Sequence, residues 1–465
     1  MNMINVRRLT VMTFLGAGML SGISAQVSPL QVDTLKETKI PDQWDLQSCI
    51  DYAKEQNITI RKNRITAVST QIDVKTAKAA LFPSLSFSTG HQVVNRPYQE
   101  TSSRVSGSEI ISSNSKTSYN GNYGLNASWT LYNGNKRLKT IQQEKLNNQM
   151  AELDVATSEN NIQESIAQVY IQILYAAESV KVNENTLQVS IAQRDRGQEL
   201  LNAGSIAKSD LAQLEAQVST DRYQLVTAQA TLEDYKLQLK QLLELDGENE
   251  MNIYLPALSD ENVLAPLPTK KDVYIRALSL RPEIEASKLN VEASELGIGI
   301  AKSSYLPTIS LSAGIGTNHT SGSDFTFGEQ VKNGWNNSIG LSVSVPIFNN
   351  RQTKSAVQKA KLQYETSMLS LLDEQKALYK TIESLWLDAN SAQQRYAAAN
   401  EKLKSTQISY ELISEQFNLG MKNTVELLTE KNNLLQAQQE QLQAKYMAIL
   451  NTQLLKFYQG DQLAL

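Results

Sequence analysis

The chain repeats itself over half its length. Residues 77–90 read AKAALFPSLSFSTG and residues 301–314 read AKSSYLPTISLSAG, so Pro83, Ser86, Ser88 and Gly90 recur as Pro307, Ser310, Ser312 and Gly314. YGLNASWTLYNGN (123–135) is matched by IGLSVSVPIFNNR (339–351), and LLNAGSIAKSDLAQL (200–214) by QFNLGMKNTVELLTE (416–430), with Gly204 opposite Gly420. The offset is 224 residues for the first pair and 216 for the other two, so copy one carries about eight extra residues between its first two blocks. A period this long excludes a solenoid of 20- to 50-residue units. The chain is a duplicated half-protein, and both halves keep one internal order.

Proline and glycine mark where helices are permitted. All ten prolines lie at or before Pro346, with none between Pro97 and Pro256, and beyond Ile347 the glycines are Gly420 and Gly460. In a helix interior glycine costs roughly 1 kcal/mol and proline about 3. Two very long helical stretches are therefore allowed, each broken at one marked glycine. A helix from about Asn135 to Asn202 would be on the order of 100 Å long at 1.5 Å per residue. Beyond Gly204, Leu211, Leu214, Val218, Asp221, Leu225, Ala228, Leu232, Tyr235, Leu239 and Leu242 follow 3-4 spacing. That is a coiled-coil seam interrupted by one charge.

Between the helices the period changes to two. Leu85, Phe87 and Thr89 alternate with serines; Leu125, Ala127, Trp129 and Leu131 alternate with Asn126, Ser128 and Thr130. In copy two Ile309, Leu311 and Ala313, then Leu341, Val343, Val345 and Ile347, alternate with serines and proline. One apolar face suits a half-buried soluble hairpin. It equally suits a strand of about ten residues with lipid on one side and a wet lumen on the other. The connections, roughly 91–122 and 315–338, are rich in Ser, Asn and Gly and read as exposed loops. If the strands cross a membrane, four cannot close a barrel, since about eight is the practical minimum. Open edges in lipid leave backbone groups unsatisfied. Chains would then have to share the barrel, three supplying twelve strands.

Arg7 and Arg8 precede the apolar run Leu9–Leu20 and the small residues SGISA, the pattern of a secretory signal cleaved after Ala25. The run is too short for a permanent membrane helix, and no cysteine near the cleavage point offers an acyl anchor. Cys49, the single cysteine, has no disulfide partner within the chain and reads as a small buried residue on a helix. Without the signal, 42 basic residues face 48 acidic ones, with no basic patch, so nucleic acid is disfavoured as a partner. Beyond the signal no run of 18 apolar residues offers a transmembrane helix.

Catalytic signals are poor. The two histidines, His91 and His319, lie in or beside the expected loops at non-equivalent positions, and both a histidine–cysteine metal site and a serine–histidine triad lack parts. No phosphate-binding glycine loop is present, an enzyme is not expected, and no cofactor is implied.

Taken together, the Pro83 and Pro307 helix-to-strand junctions, the two glycine tips and the duplicated helix-strand-strand-helix-helix order resemble the outer-membrane efflux protein family of TolC-like exit ducts, over essentially the whole mature chain. The resemblance implies a mainly α fold with membrane β structure: a coiled-coil helical tunnel continuing a 12-stranded barrel shared by a homotrimer. It implies a signal at 1–25, a first repeat over 26–250, a linker on the tunnel's outer belt over 251–280 (with Pro256, Pro266 and Pro268) and a second repeat over 281–465. It also implies contact with outer-membrane lipid, a periplasmic adaptor and an inner-membrane pump as partners, and a passive duct opened at its periplasmic tip. A secreted coiled-coil structural protein and an outer-membrane receptor acting through its loops are the alternative readings.

The resemblance directs attention to particular residues. Adaptor docking falls on the tips, at Gly204, Leu419, Gly420 and Met421. An acid six residues after the glycine is Glu426 in copy two and Asp210 in copy one. Lys422 stands where a basic residue ties the closed tip to a neighbour. Where a second acid often follows, this chain has Thr429, matched by Gln213 in copy one. These charges read equally as solvated coiled-coil tips. Phe82, Tyr132, Tyr305 and Phe348 mark the four strand–helix junctions, where rings can anchor at headgroups or fill the barrel base.

Overall fold

The structure, a computed structural model, describes residues 40–98, 102–106, 109–113, 116–246, 251–256, 263–321, 323 and 325–463. The expected signal at 1–25 lies outside the described residues. Each half supplies four helices of matched length. In the first these are α1 (Leu46–Gln56), α2 (Ile58–Ala79), α3 (Lys136–Asn202) and α4 (Lys208–Leu242), of 11, 22, 67 and 35 residues. In the second, α5 (Lys270–Leu280), α6 (Pro282–Ser303), α8 (Gln352–Asn418) and α9 (Thr424–Tyr458) have the same four lengths. Helix α5 occupies the end of the segment expected to be linker. Thr269 caps it as Asp45 caps α1, each side chain accepting from a first-turn N–H.

The long helices pack as antiparallel hairpins, α3 on α4 and α8 on α9; α2 lies along α3, and α6 lies along both α3 and α8. The 3-4 seam of α4 faces inward, with Leu211, Leu214, Val218, Asp221 and Leu239 buried. Near the far end of that seam lies the main core, around Trp44, Cys49, Ile166, Tyr170, Leu239 and Tyr396. The belt segment wraps this core. Trp44 exchanges backbone hydrogen bonds with Asn252 and Tyr254, the Tyr170 hydroxyl donates to the Tyr254 carbonyl at 2.6 Å, and Gln393 donates to the Val263 and Ala265 carbonyls.

The strands form one antiparallel meander, β1 (Ser84–Asn95), β4 (Thr117–Asn133), β5 (Thr308–Thr320) and β6 (Asn336–Ser344), in spatial order β1-β4-β5-β6. A separate hairpin, β2 (Ser102–Ser106) with β3 (Glu109–Ser113), extends the β1–β4 connection. Strands thus reach well into the stretches expected to be loops, and a short helix, α7 (Phe327–Asn333), starts on a Thr326/Glu329 capping box before β6. Polar composition misleads there because a strand with one wetted face carries a polar residue at every second position. At its other end β6 stops at Ser344, so Val345 and Ile347 lie beyond it; Pro346 has no N–H for a ladder.

Register sorts the sheet into two faces. Leu85–Ala127–Ala313–Ile339 and Phe87–Leu125–Ile315 run across one face, and Ser86–Asn126–Gly314–Ser338 and Ser88–Gly124–Gly316–Asn336 across the other. The apolar face is open: Phe87, Ile339 and Leu341 are 67%, 83% and 65% exposed. Among the described residues no helix is long and apolar enough to cross a membrane.

Proline breaks and left-handed turns weld sheet to helices. Pro83 and Pro307 each stand one residue before a strand, after helices that end at Ala79 and Ser303. On the return, Gly134 and Asn135 are both left-handed before α3, and Asn350 and Arg351 repeat that pair before α8. Gly134 needs its missing side chain, since a Cβ would lie 2.7 Å from the Ser303 carbonyl oxygen. Arg137 closes the junction by donating to the carbonyls of Ala80 and Thr130, and the Trp129 indole donates to Leu81.

Candidate functional site: the helical tips

Both coiled-coil hairpins turn in the same way. At the first tip the Gly204 N–H donates to the Leu201 carbonyl at 2.9 Å and Ser205 to Leu200 at 2.8 Å; at the second, Gly420 donates to Phe417 at 2.9 Å and Met421 to Gln416 at 2.8 Å. This is the Schellman closure, which requires a left-handed residue just past the helix. Gly204 and Gly420 supply it at φ +74° and +75°, with nothing within 4 Å of a Cβ at either. Glycine is needed there for its backbone alone.

The descending helices restart on acids. At α9 the Asn423 side chain accepts from the Glu426 N–H at 2.9 Å, and the Glu426 carboxylate accepts from the Asn423 N–H at 3.2 Å. At α4 the Asp210 carboxylate accepts from the Ala207 N–H at 3.0 Å. The acid six residues past each glycine is therefore the third residue of the new helix, where a carboxylate satisfies an orphan donor and faces the positive end of the dipole. Lys422 pairs with Glu426 of its own chain at 2.6 Å. That hydrogen bond, then the one from Asn423, holds the Glu426 carboxyl below its ordinary range. Thr429 is exposed and returns its hydroxyl to the Val425 carbonyl. Leu419 and Met421 project from the second tip, 75% and 70% exposed.

Above the tips lies a cluster for which the sequence offered one signal, the charge in the α4 seam. Asp221 is 1% exposed and meets the ammonium of Lys431, 3% exposed, with the Ser190 hydroxyl bonded to both. Gln217 donates to the other Asp221 oxygen at 2.9 Å. The clamp joins α3 and α4 of the first hairpin to α9 of the second. Burial, the larger effect, drives the Lys431 ammonium below its usual range, and Asp221 partly offsets it.

Phe82, Tyr305 and Phe348 are 72%, 52% and 84% exposed, and all lie with Tyr132 where strands meet helices. Among the described residues no three His, Cys, Asp or Glu side chains gather to hold a metal.

A meander with an open apolar face and a serine-, asparagine- and glycine-lined back, welded to paired 67- and 35-residue helices, has the build of an outer-membrane protein with long coiled-coil hairpins. The family model described as "Outer membrane efflux protein" matches residues 49–244 and 273–460, and the chain belongs to that family. It is 24% identical to the outer membrane efflux protein BepC of Brucella suis biovar 1, over 63% of this chain and 61% of that one. It is also 24% identical to the outer membrane protein TolC of Escherichia coli, over 61% and 58%. The aligned stretches thus span about three fifths of those relatives' length. With TolC of Salmonella enteritidis the match is 22% over 90% of this chain and 82% of that protein. Among solved structures the fold is similar to CusC (TM-score 0.75, 18% identity, 90% and 92% of the two chains). VceC of Vibrio cholerae is also similar (TM-score 0.73, 16%, 90% and 97%).

Proposed function

We propose that three copies of this chain form a passive exit duct, not an enzyme, in which twelve strands close a barrel through the outer membrane and the coiled coils continue it as a periplasmic tunnel. The observation that carries the reading is the sheet: among the described residues its outer strands β1 and β6 have no partner on one side, while its apolar face is open. In lipid such edges must be paired, and sharing between protomers is the way four strands achieve it. The polar face then lines the lumen. Phe82, Tyr132, Tyr305 and Phe348 form the periplasmic-side aromatic belt.

The duplication sets the proposed domains: a first repeat ending near residue 250, a belt segment, and a second repeat that opens at the Thr269 cap rather than at 281. Gly204, Leu419, Gly420 and Met421 offer the tip surface for a periplasmic adaptor that couples the duct to an inner-membrane pump. Relatives named as a toxin and drug export protein and as an alkaline protease secretion protein support a role in export. Glu426, Lys422, Thr429 and Asp210 surround the periplasmic mouth. Carboxylates gathered in a narrow opening favour cations over anions, an effect salt only partly screens.

Mass measurement of the detergent-solubilised protein tests the assembly. A homotrimer of the 51.7 kDa chain weighs about 155 kDa, and a monodisperse monomer or dimer with an intact barrel rules the reading out. For the mouth, Glu426→Ala should weaken cation preference in single-channel recordings without changing the trimer.

A further inference from the structure

The two histidines of the chain come together, although one is in β1 and the other in β5. Neither is in a loop. Register places His91 and His319 on either side of Gly121 in the intervening strand β4. Strands lie about 4.8 Å apart, so side chains two strands apart are normally separated by the residue between. Here that residue has no side chain. The position a Cβ on Gly121 would take is 2.6 Å from His319 Nδ1 and 3.2 Å from His91 Nδ1. Both rings therefore lean over the glycine and turn the same nitrogen toward one point.

The surroundings hold the rings in that pose. His91 stacks on Tyr119 and His319 on Tyr123, and each histidine also meets the other tyrosine edge-on; Phe327 closes against His319 at 4.9 Å. His91 Nε2 lies 3.1 Å from Thr89 Oγ1, and its Nδ1 lies 2.7 Å from the Tyr119 hydroxyl. The tautomer with Nε2–H donating to Thr89 leaves Nδ1 an acceptor on the Tyr119 hydroxyl, and an ion over Gly121 would take that lone pair with the hydroxyl oxygen beside it. An oxygen behind the ligating ring is the usual support for a metal-bound imidazole. His319 Nδ1 is buried and has no hydrogen-bond partner within the protein. A buried polar nitrogen in that state calls for an unseen ion or water.

We propose that His91 and His319 form a binding site for one borderline transition-metal ion, Zn2+ or Cu2+, over Gly121, with the Tyr119 hydroxyl as an adjacent oxygen donor. Imidazole–zinc bonds are about 2.0–2.1 Å, so ring movements of about an ångström bring both nitrogens onto one ion. Imidazole donors favour zinc, copper and nickel over magnesium or calcium, with Cu2+ bound most tightly. The site stands on the outward face, in the row of residues beyond Thr89, Tyr123 and Thr317 and past the apolar band, at the end of the sheet away from the helices. A bound ion would clip β1 to β5 across β4. This site is independent of transport through the lumen.

The test is titration of the full-length, detergent-solubilised protein, free of any polyhistidine tag, with CuCl2 followed by electron paramagnetic resonance, and with ZnCl2 by calorimetry. One Cu2+ per protomer, with hyperfine structure from two imidazole nitrogens, is expected. His91→Gln and His319→Gln should each weaken binding at least tenfold and remove one nitrogen from the spectrum while the oligomer keeps its mass. Gly121→Ala should weaken binding similarly by filling the ion's position. Absence of stoichiometric binding overturns the proposal, as does binding that survives both histidine substitutions. The first result would leave a water over Gly121; the second would place the metal on amines or carboxylates elsewhere.

Discussion

Lys431→Met should loosen the packing between the two coiled-coil hairpins far more than its single charge suggests. The substitution leaves the Asp221 carboxylate, 1% exposed, facing the Ser190 hydroxyl and the Gln217 amide without its cation. Removing one partner of a buried pair costs about 3–5 kcal/mol. Because two hydrogen-bond donors remain, the lower figure applies, about 3 kcal/mol. With 1.4 kcal/mol for each factor of ten, local opening should become about 100-fold more frequent. Amide hydrogen exchange reads this directly in the buried turns of α4 near Leu214 and Val218 and of α9 near Leu427 and Leu434. Asp221→Asn should cost less, because burial already disfavours the Lys431 ammonium, which can shed its proton and remain as a neutral amine. The double variant Lys431→Met/Asp221→Leu should return close to the parent or exceed it, since an apolar replacement of a buried pair is often neutral or stabilising by about 1–4 kcal/mol. Ser190 can then turn to a carbonyl of its own helix. Exchange in Lys431→Met within twofold of the parent, or a double variant as loose as the two single changes combined, would refute the argument.

Three further outcomes follow from the same geometry. The Glu426 carboxyl titrates below 4.5 in the folded tip, so its contribution is complete above that value and is lost as pH falls through the folded pKa. Exchange protection of the first turn of α9 should stay flat from neutral pH down through the ordinary carboxylate range and decline only below it. Burial pushes the Cys49 thiol up to about 12, leaving about one part in ten thousand as thiolate at pH 8; iodoacetamide should therefore leave the native protein unmodified and label it in guanidinium. Gly420→Ala should cost about 1–2 kcal/mol through left-handed backbone strain alone, since its Cβ meets nothing; Gly420→Asn should cost less, and exchange at the tip measures both.

What the sequence disclosed depended on range. Long helices were legible because proline and glycine are excluded from helix interiors along hundreds of residues, and the α4 seam because its spacing is local. Capping by Glu426 was within reach, since Asn423 and Glu426 have the spacing of a capping box. Strand ends were obscured because Asn120, Asn122 and Ser118 look like loop residues until register places them on one polar face. Lys431 could not be paired with Asp221, nor His91 with His319, because each partner lies in the other half of the chain. Only the heptad break at Asp221 hinted that a partner existed.

The equal helix lengths have an evolutionary consequence. Seven residues added to α8 alone would carry its tip about 10 Å past that of α3. Both tips would no longer end at one level, and the returning helix α9 would have to lengthen too. Insertions in the four long helices must therefore arrive together to be neutral, whereas the strand connections at the other end evolve one at a time. The halves bear that asymmetry: paired helices before the sheet are offset by 224 residues and those after it by 216. Every net residue by which the copies have drifted apart thus lies between α2 and α3 or between α6 and α8, and the tunnel's length has stayed a shared inheritance.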